Sequence, residues 1–405
     1  MKKIVVIGGG AAGFFAAINI AEKLPEAEIT ILERTDKLLS KVKISGGGRC
    51  NVTNVISDPA ELAKYYPRGN RFLKKAFYNF SSNDVINWFE KRNVKLKVEH
   101  DGRVFPATDN SQTIIDCFLN SAEKVNIKIQ KNVKINKIAP PIDQSSVWKI
   151  ITSDGILEAD KFIIASGSNQ QMWNLLENIG HNIISPVPSL FTFNIKDERL
   201  KELAGISVKN VKVLIDNSSL SCEGDLLITH WGLSGPAILK LSAWGARDLF
   251  EKNYNFKIIL NWINLNPEQT KEQLLNFKKV YTNKNVASNP QFNLPLRLWE
   301  RIIISAGSSK DLKWNDLSKK LIQKMADELS SAKFEVTGKS TFKDEFVTCG
   351  GIDLNEVDVK TMQSKIHKGL FFAGEVLDVD AVTGGFNFQS AWTTAWIAAN
   401  SIINN

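Results

Sequence analysis

The sequence predicts an α/β fold. A doubly wound nucleotide-binding domain is built from both ends of the chain and interrupted by an inserted domain, a mixed β-barrel plus helices. Three observations predict it. At the N-terminus an apolar strand runs into a glycine turn and then an apolar helix. Near the C-terminus a second apolar strand is followed by glycines and a closing helix. Between about residues 190 and 344 the pattern changes to separated strands and then amphipathic helical stretches.

The elements follow in chain order. Lys3 to Ile7 is a short β-branched run, Gly8, Gly9 and Gly10 end it, and Ala11 to Leu24 carries apolar residues at helical spacing up to Pro25. Glu28 to Glu33 is the next strand, which completes a strand–helix–strand unit. Ile127 to Ile138, Trp148 to Thr152 and Lys161 to Ala165 read as further strands, the last leaving through Ser166, Gly167 and Ser168. In the middle block Phe191 to Ile195, Ile206 to Ile215, Leu226 to Thr229 and Asn255 to Leu260 read as strands. Pro267 to Lys279, Leu296 to Ser305 and Trp314 to Ser330 read as helices, so the helical part spans about 265–331. Gly369 to Ala373 is the late strand and Gln389 to Ile402 the closing helix. The expected division is therefore 1–189 with 345–405 as one domain and 190–344 as the insertion.

Composition narrows the function classes. The 405 residues exceed one ordinary core, and 43% hydrophobic with 23% charged residues is the balance of a globular chain. The net charge of +8 raises the question of an acidic partner, but the lysines are scattered in pairs such as Lys74-Lys75 and Lys319-Lys320. A solvated basic surface accounts for them better than a nucleic-acid groove. Lys2-Lys3 and the apolar stretch to Ala21 imitate a signal peptide, yet glycines and Asn19 interrupt it. No run reaches the ~18 apolar residues that span a membrane. Cys50, Cys117, Cys222 and Cys349 are far apart and form no CxxC, which excludes a disulfide scaffold and a zinc-finger metal site. A cytoplasmic protein without a metal and without a membrane partner is expected; the oligomeric state is open.

Gly8-Gly9-Gly10-Ala11-Ala12-Gly13 matches G-x-G-x-x-G, between a strand and a helix as the motif requires. Its glycines permit the turn, the approach of a pyrophosphate and close helix–strand packing. Glu33 lies 20 residues beyond Gly13, where a carboxylate takes ribose hydroxyls. That identifies a dinucleotide. Three further segments select FAD. Ser45, Gly46, Gly47, Gly48, Arg49, Cys50 and Asn51 form a second glycine-rich loop with bare amides and an arginine. Ala165, Ser166 and Gly167 end a strand, as do Gly374 and Glu375. Gly384, Gly385, Phe386 and Asn387 open the last helix, whose amides would face the flavin N1/O2 edge. The fold is thus a discontinuous Rossmann-type FAD-binding domain carrying an insertion.

The stretches GGGAAG (8–13), SGGGRCNVTN (45–54), DGRVFPATD (101–109), THWGLSGPA (229–237) and GLFFAGEVLDVDAVTGGFNFQSAW (369–392) span almost the whole chain. Together they resemble the bacterial flavoprotein family that includes the aminoacetone oxidases, the NAD(P)/FAD-dependent oxidoreductases. The resemblance implies FAD contacts at Gly8, Gly10, Ala12, Gly13, Glu33, Arg34, Ser45 to Asn51, Gly374, Glu375 and Gly385 to Asn387. It also implies a backbone contact to adenine from Val133, placed on a strand Lys131 to Ile138. Ala381 stands where the family usually has glycine, and Phe386 where it has tyrosine.

Candidate chemical groups are few. One cysteine, Cys50, lies in the flavin segment, so a dithiol mechanism is disfavoured and the FAD is expected to be noncovalent. Asn51 and Thr53 are candidates to touch flavin or substrate, at even odds with loop capping. His230 is a third candidate, because the glycines of Thr229 to Pro236 describe an exposed turn expected to cover the open flavin face. Ser234 beside it lacks the nucleophile-elbow context, since Pro236 takes the last glycine position. No second G-x-G-x-x-G provides an NAD(P)H domain, so either a nicotinamide docks transiently as co-substrate, or the substrate itself reduces the flavin and oxygen or another acceptor reoxidises it. The expected function is an FAD-dependent oxidoreductase on a small organic substrate, an amine or a ketone. A flavin-dependent RNA-modifying enzyme and a flavin-bound regulatory protein without turnover are the alternatives.

Overall fold

The computed structural model describes residues 2–142, 147–340 and 347–404. The chain forms two compact units, Met1–Val187 with Lys343–Asn405, and Pro188–Phe342. The boundary expected at 344/345 lies outside the described residues.

The first unit is built on a five-stranded parallel sheet. Its spatial order is Leu370–Phe372, Lys161–Ile164, Lys3–Ile7, Glu28–Leu32, Lys128–Gln130. The inner strands are continuous apolar runs (KIVVI, EITIL, KFII), the composition of strands covered on both faces. Because Leu370–Phe372 pairs with Lys161–Ile164, the two ends of the chain share one sheet. The helices Ala11–Ala21 and Phe386–Ile403 are buried on most of their faces, with Phe15 and Phe118 both packed against Trp392.

Several expected elements change. The strand expected over Ile127 to Ile138 divides into Lys128–Gln130 and Ile135–Ala139. Asn132 between them has φ +61°, in the left-handed region, which interrupts the extended run. Val133 therefore sits in a connection rather than on a strand, its N–H donating to the Glu33 carbonyl at 3.0 Å. The last helix begins at Phe386 instead of Gln389, because Gly385 in the left-handed region ends the preceding turn. The glycine-rich loop contributes Ser45 to Gly48 to a kinked helix, Ser40–Gly48.

His181 forms a buried polar cluster, its ring edge-on to Phe372 at 5.1 Å between centroids. Its Nδ1 lies 2.8 Å from Glu356 Oε2 and its Nε2 3.1 Å from the Ser364 hydroxyl. Ser364 Oγ also accepts from the amides of Ile366 and His367, so this serine is a turn anchor and not a nucleophile. Burial holds the His181 pKa below its ordinary value despite Glu356. The unfolded chain therefore binds the proton more tightly than the folded one. The stabilisation is complete above about pH 6.5 and is lost as pH falls through that value toward the lower folded pKa. Thermal unfolding should show a lower Tm at pH 5.5 than at pH 7.5, with a smaller drop in His181→Gln. An equal drop in that variant would assign the acid sensitivity elsewhere.

The second unit carries a seven-stranded antiparallel sheet. Its order is Ala332–Thr337, Asn255–Asn261, Ser207–Ile215, Ser221–Ile228, Gly232–Ser234, Thr192–Asn194, Lys339–Ser340. Its first and last strands flank the single residue Gly338, so the sheet must roll until its edges meet. Alternating strands such as AKFEVT bury one face against the helices Leu296–Ser305 and Lys319–Ser330. The helix expected over Trp314 to Ser330 breaks after a 3-10 turn, because Ser318 caps a new helix by accepting from Leu321 N–H. Pro236, expected in an exposed turn, instead opens the helix Pro236–Trp244 at its first position.

Candidate functional site

Three parallel strands end in register. Ile7 pairs with Ile164 and Ile164 with Phe372, so Gly8 to Gly10, Ala165 to Gly167 and Gly374-Glu375 leave the sheet side by side. In a parallel α/β sheet this carboxyl edge is where ligands bind. Gly8 has φ +111°, and a Cβ there would lie 2.3 Å from the Ala165 carbonyl oxygen. A Cβ on Gly13 would lie 1.9 Å from the Gly8 carbonyl oxygen, so helix and turn touch backbone to backbone. Gly374 presses on Ala12, with 3.1 Å from its Cβ position to the alanine methyl, and its N–H donates to Thr394 Oγ1 at 2.9 Å. The Gly167 Cβ position is 3.7 Å from Glu375 Oε2.

Gly10, Gly47 and Gly48 differ from these. Among the described residues nothing beyond the adjoining backbone lies within 4 Å of a Cβ at any of them. The first opens the helix Ala11–Ala21, and the others follow the kink at Ser45 and Gly46. Gly10 sets bare backbone facing open space at a helix N-terminus, the cradle that a pyrophosphate requires, while Gly47 and Gly48 lie bare at the C-terminal end of Ser40–Gly48.

The Glu33 carboxylate accepts from Gly9 N–H at 2.9 Å and from Thr35 N–H and Oγ1, each at 2.9 Å. It thus ties the glycine turn to the end of Glu28–Leu32, and its remaining acceptor capacity is what a ribose could use. Arg34 beside it is exposed. Glu33→Ala should weaken FAD binding by about 1–3 kcal/mol, the scale of lost charged hydrogen bonds. Unchanged affinity in a fluorescence titration would remove Glu33 from the cofactor site. Lys41, which the sequence reading missed, forms an ion pair with Glu375 at 2.5 Å and so joins the helix Ser40–Gly48 to the end of the late strand.

The Ser45 to Asn54 segment and the Gly384 to Asn387 turn meet directly. The Asn51 carboxamide, in the orientation that satisfies its neighbours, accepts from Gly385 N–H at 2.9 Å and donates to Thr53 O at 2.9 Å and Val104 O at 3.2 Å. Thr53 Oγ1 donates to Gln389 Oε1 at 2.5 Å. Gly385 fits because a Cβ there would fall 2.5 Å from the Thr53 carbonyl oxygen. Asn51 and Thr53, expected as groups able to touch substrate, are buried and committed to this junction, Thr53 with no exposed surface. Asn387 is likewise spent on its own turn, bracketing Ala381 through its N–H and carbonyl at 3.0 and 3.1 Å. The Phe386 ring stacks on Tyr65 at 4.2 Å between centroids, and its carbonyl accepts from Tyr66 Oη at 2.6 Å.

The Arg49 guanidinium, expected to serve a pyrophosphate or a ring, is engaged elsewhere. It pairs with Glu99 at 2.6 Å and lies 4.1 Å over the Phe105 ring. The Cys50 thiol is fully buried, and burial pushes its pKa up to about 12. A neutral, inaccessible thiol is neither a redox partner nor an attachment point for flavin. His230 belongs to the second unit, exposed with Trp231 at the tip of the hairpin between Ser221–Ile228 and Gly232–Ser234. Among the described residues no group of His, Cys, Asp and Glu could hold a metal ion, and no helix is long and apolar enough to cross a membrane.

The open glycine cradle, the carboxylate at Glu33 and the uncapped N-terminus of Phe386–Ile403 fit a dinucleotide lying along the strand ends. Residues 2–401 match the family described as HI0933-like protein Rossmann domain. The chain belongs to that family. It is an FAD-dependent oxidoreductase of Rossmann type. The chain is 28% identical to a ribosomal RNA dihydrouridine synthase of Escherichia coli K12, over 98% of this chain and 97% of the other. It is 25% identical to a 3-dehydro-bile acid delta(4,6)-reductase of Clostridium scindens, over 99% of each. The fold is similar to a solved 3-ketosteroid-delta4-(5alpha)-dehydrogenase from Rhodococcus jostii, with a TM-score of 0.53, 13% identity, and coverage of 100% of this chain and 97% of the other.

Proposed function

We propose that this flavoenzyme reduces a carbon–carbon double bond conjugated to a carbonyl in a small organic substrate, with NADH or NADPH docking transiently as electron donor. The observation that carries the redox reading is the glycine cradle at the aligned strand ends, with the uncapped helix N-terminus opposite the 45–54 loop. The choice of a double bond is supported by the names of two full-length relatives. A dihydrouridine is a uridine with its ring double bond saturated, and a delta(4,6)-reductase removes double bonds from a ring system.

Bound FAD supplies a two-electron hydride carrier. The chain's own residues do the holding. Gly10, Gly47 and Gly48 let backbone amides approach the phosphates, and Glu33 takes the ribose. Ala12 and Gly374, in contact, wall the strand ends. The first amides of Phe386–Ile403, which have no partners inside the helix, favour negative charge on the adjoining ring edge. Cys50, Cys117, Cys222 and Cys349 form no disulfide, which suits the reducing cytoplasm we assign it to.

Anaerobic mixing tests the reading. NADH or NADPH should bleach the flavin, and a cyclic enone should restore its colour without oxygen. Reduction by aminoacetone or another amine, with no reoxidation by enones, would instead make the chain an amine oxidase. A second reading, reduction of uridine in ribosomal RNA, is favoured by the Escherichia coli relative's name and by the net charge of +8. Reoxidation by RNA alone, with affinity falling steeply as salt rises, would select it. Flavin that no donor reduces would leave a binding protein without turnover.

A further inference from the structure

We propose that Gln389 and Thr53 are a positioning pair: they hold the first turn of the helix Phe386–Ile403 so that its free amides meet the bound flavin, and thereby set the flavin's electron affinity. The inference rests on the FAD reading above.

Gln389 has no exposed surface and lies on an otherwise largely apolar helix. A buried carboxamide costs free energy unless its oxygen and nitrogen are both bonded. Both are. Thr53 Oγ1 donates to Gln389 Oε1 at 2.5 Å, and Gln389 Nε2 donates to Thr393 Oγ1 at 3.0 Å. Thr393 Oγ1 in turn donates to the Phe80 carbonyl at 2.9 Å. The chain of donors runs in one direction and ends on fixed backbone at Phe80. Asn51 adds a second tie through Gly385 N–H.

These bonds leave the helix end in an unusual condition. Gly385 provides no side-chain cap, and Asn387, whose carboxamide could fold back to cap, is held by Ala381. Among the described residues no side chain caps the first amides of the helix, while the turn behind them is anchored to a loop 336 residues away in sequence. Fixed dipoles stabilise developing charge better than ones that must reorganise. Releasing the anchor should weaken the stabilisation of the reduced, anionic ring while leaving the pyrophosphate cradle untouched.

The test uses the FAD-loaded full chain with Gln389→Leu, Thr53→Val and the double variant, each equilibrated anaerobically against redox dyes. Both single variants should keep one FAD per chain. Each should show a tenfold lower ratio of reduced to oxidised flavin at a given potential, equivalent to a midpoint about 30 mV more negative for a two-electron couple. The double variant should match the singles, because both remove the same link. Wild-type midpoints in Gln389→Leu and Thr53→Val, with FAD bound, would overturn the inference and leave the FAD reading standing. A wild-type chain that takes up no FAD would overturn the FAD reading itself. If Gln389→Leu does not fold, the near-isosteric Thr53→Val decides alone.

Discussion

Gly13→Ala should destabilise the fold by about 3 kcal/mol or more, the upper range for overpacking, whereas Gly10→Ala should fold normally and fail to hold FAD tightly. The two glycines are three residues apart in one motif, yet they meet different neighbours. The new Cβ at Gly13 would sit 1.9 Å from the Gly8 carbonyl oxygen, a backbone atom that cannot swing aside. Relief requires the helix Ala11–Ala21 to lift from the strand Lys3–Ile7, which disturbs the sheet to which both chain ends contribute. At Gly10 a methyl meets no described residue beyond its chain neighbours within 4 Å and would intrude on the open space proposed for the pyrophosphate. Denaturant unfolding without added FAD and fluorescence titration with FAD separate the cases. Equal unfolding midpoints for the two variants would contradict this account of the turn.

Arg68→Ala should cost about 3–5 kcal/mol, the range for breaking a buried ion pair by removing one partner. Asp380 has no exposed side-chain surface, and the guanidinium of Arg68 faces it through Nε and Nη2. The pair fastens the stretch Tyr65 to Gly69 to the loop that leads into the last helix. Val382 N–H donating to Tyr65 O at 3.0 Å makes a second fastening, and a Cβ at Gly69 would fall 2.5 Å from Val379 Cγ1. Losing Arg68 takes the guanidinium from a fully buried carboxylate, so unfolding should shift strongly. Replacing both partners, Arg68→Met with Asp380→Leu, should recover part of the loss, since no charge is then left buried. A double variant less stable than Arg68→Ala would show that the pair contributes more than it costs to desolvate.

The nucleotide-binding end of the fold is legible because its requirements are local. A β-branched run, a glycine turn and an apolar helix must be adjacent in sequence, and Lys3–Ile7, Gly8 to Gly13 and Ala11–Ala21 are. The parallel pairing of Leu370–Phe372 with Lys161–Ile164 is harder to see, yet short apolar runs that each end in a glycine mark both strands. The roles of Asn51, Thr53 and Arg49 were not legible. Each is a polar residue in a glycine-rich segment, and its partner lies at a distant position: Gly385, Gln389 and Glu99. One signal was available and overlooked. Gln389 and Thr393 are four apart, hence on one face of a largely apolar helix, and a polar pair there needs a buried partner. Val133 was misplaced because an apolar, β-rich run conceals the left-handed Asn132 that divides it.

This chain is expected to carry one noncovalent FAD and to pass two electrons through it. Anaerobic dithionite titration of the purified yellow protein, followed by acid precipitation, tests it directly. One two-electron equivalent per chain should bleach the flavin, and FAD alone should be released into the supernatant. Flavin retained on the precipitated protein, release of FMN or NAD in its place, or a chain that remains colourless after incubation with FAD would contradict it.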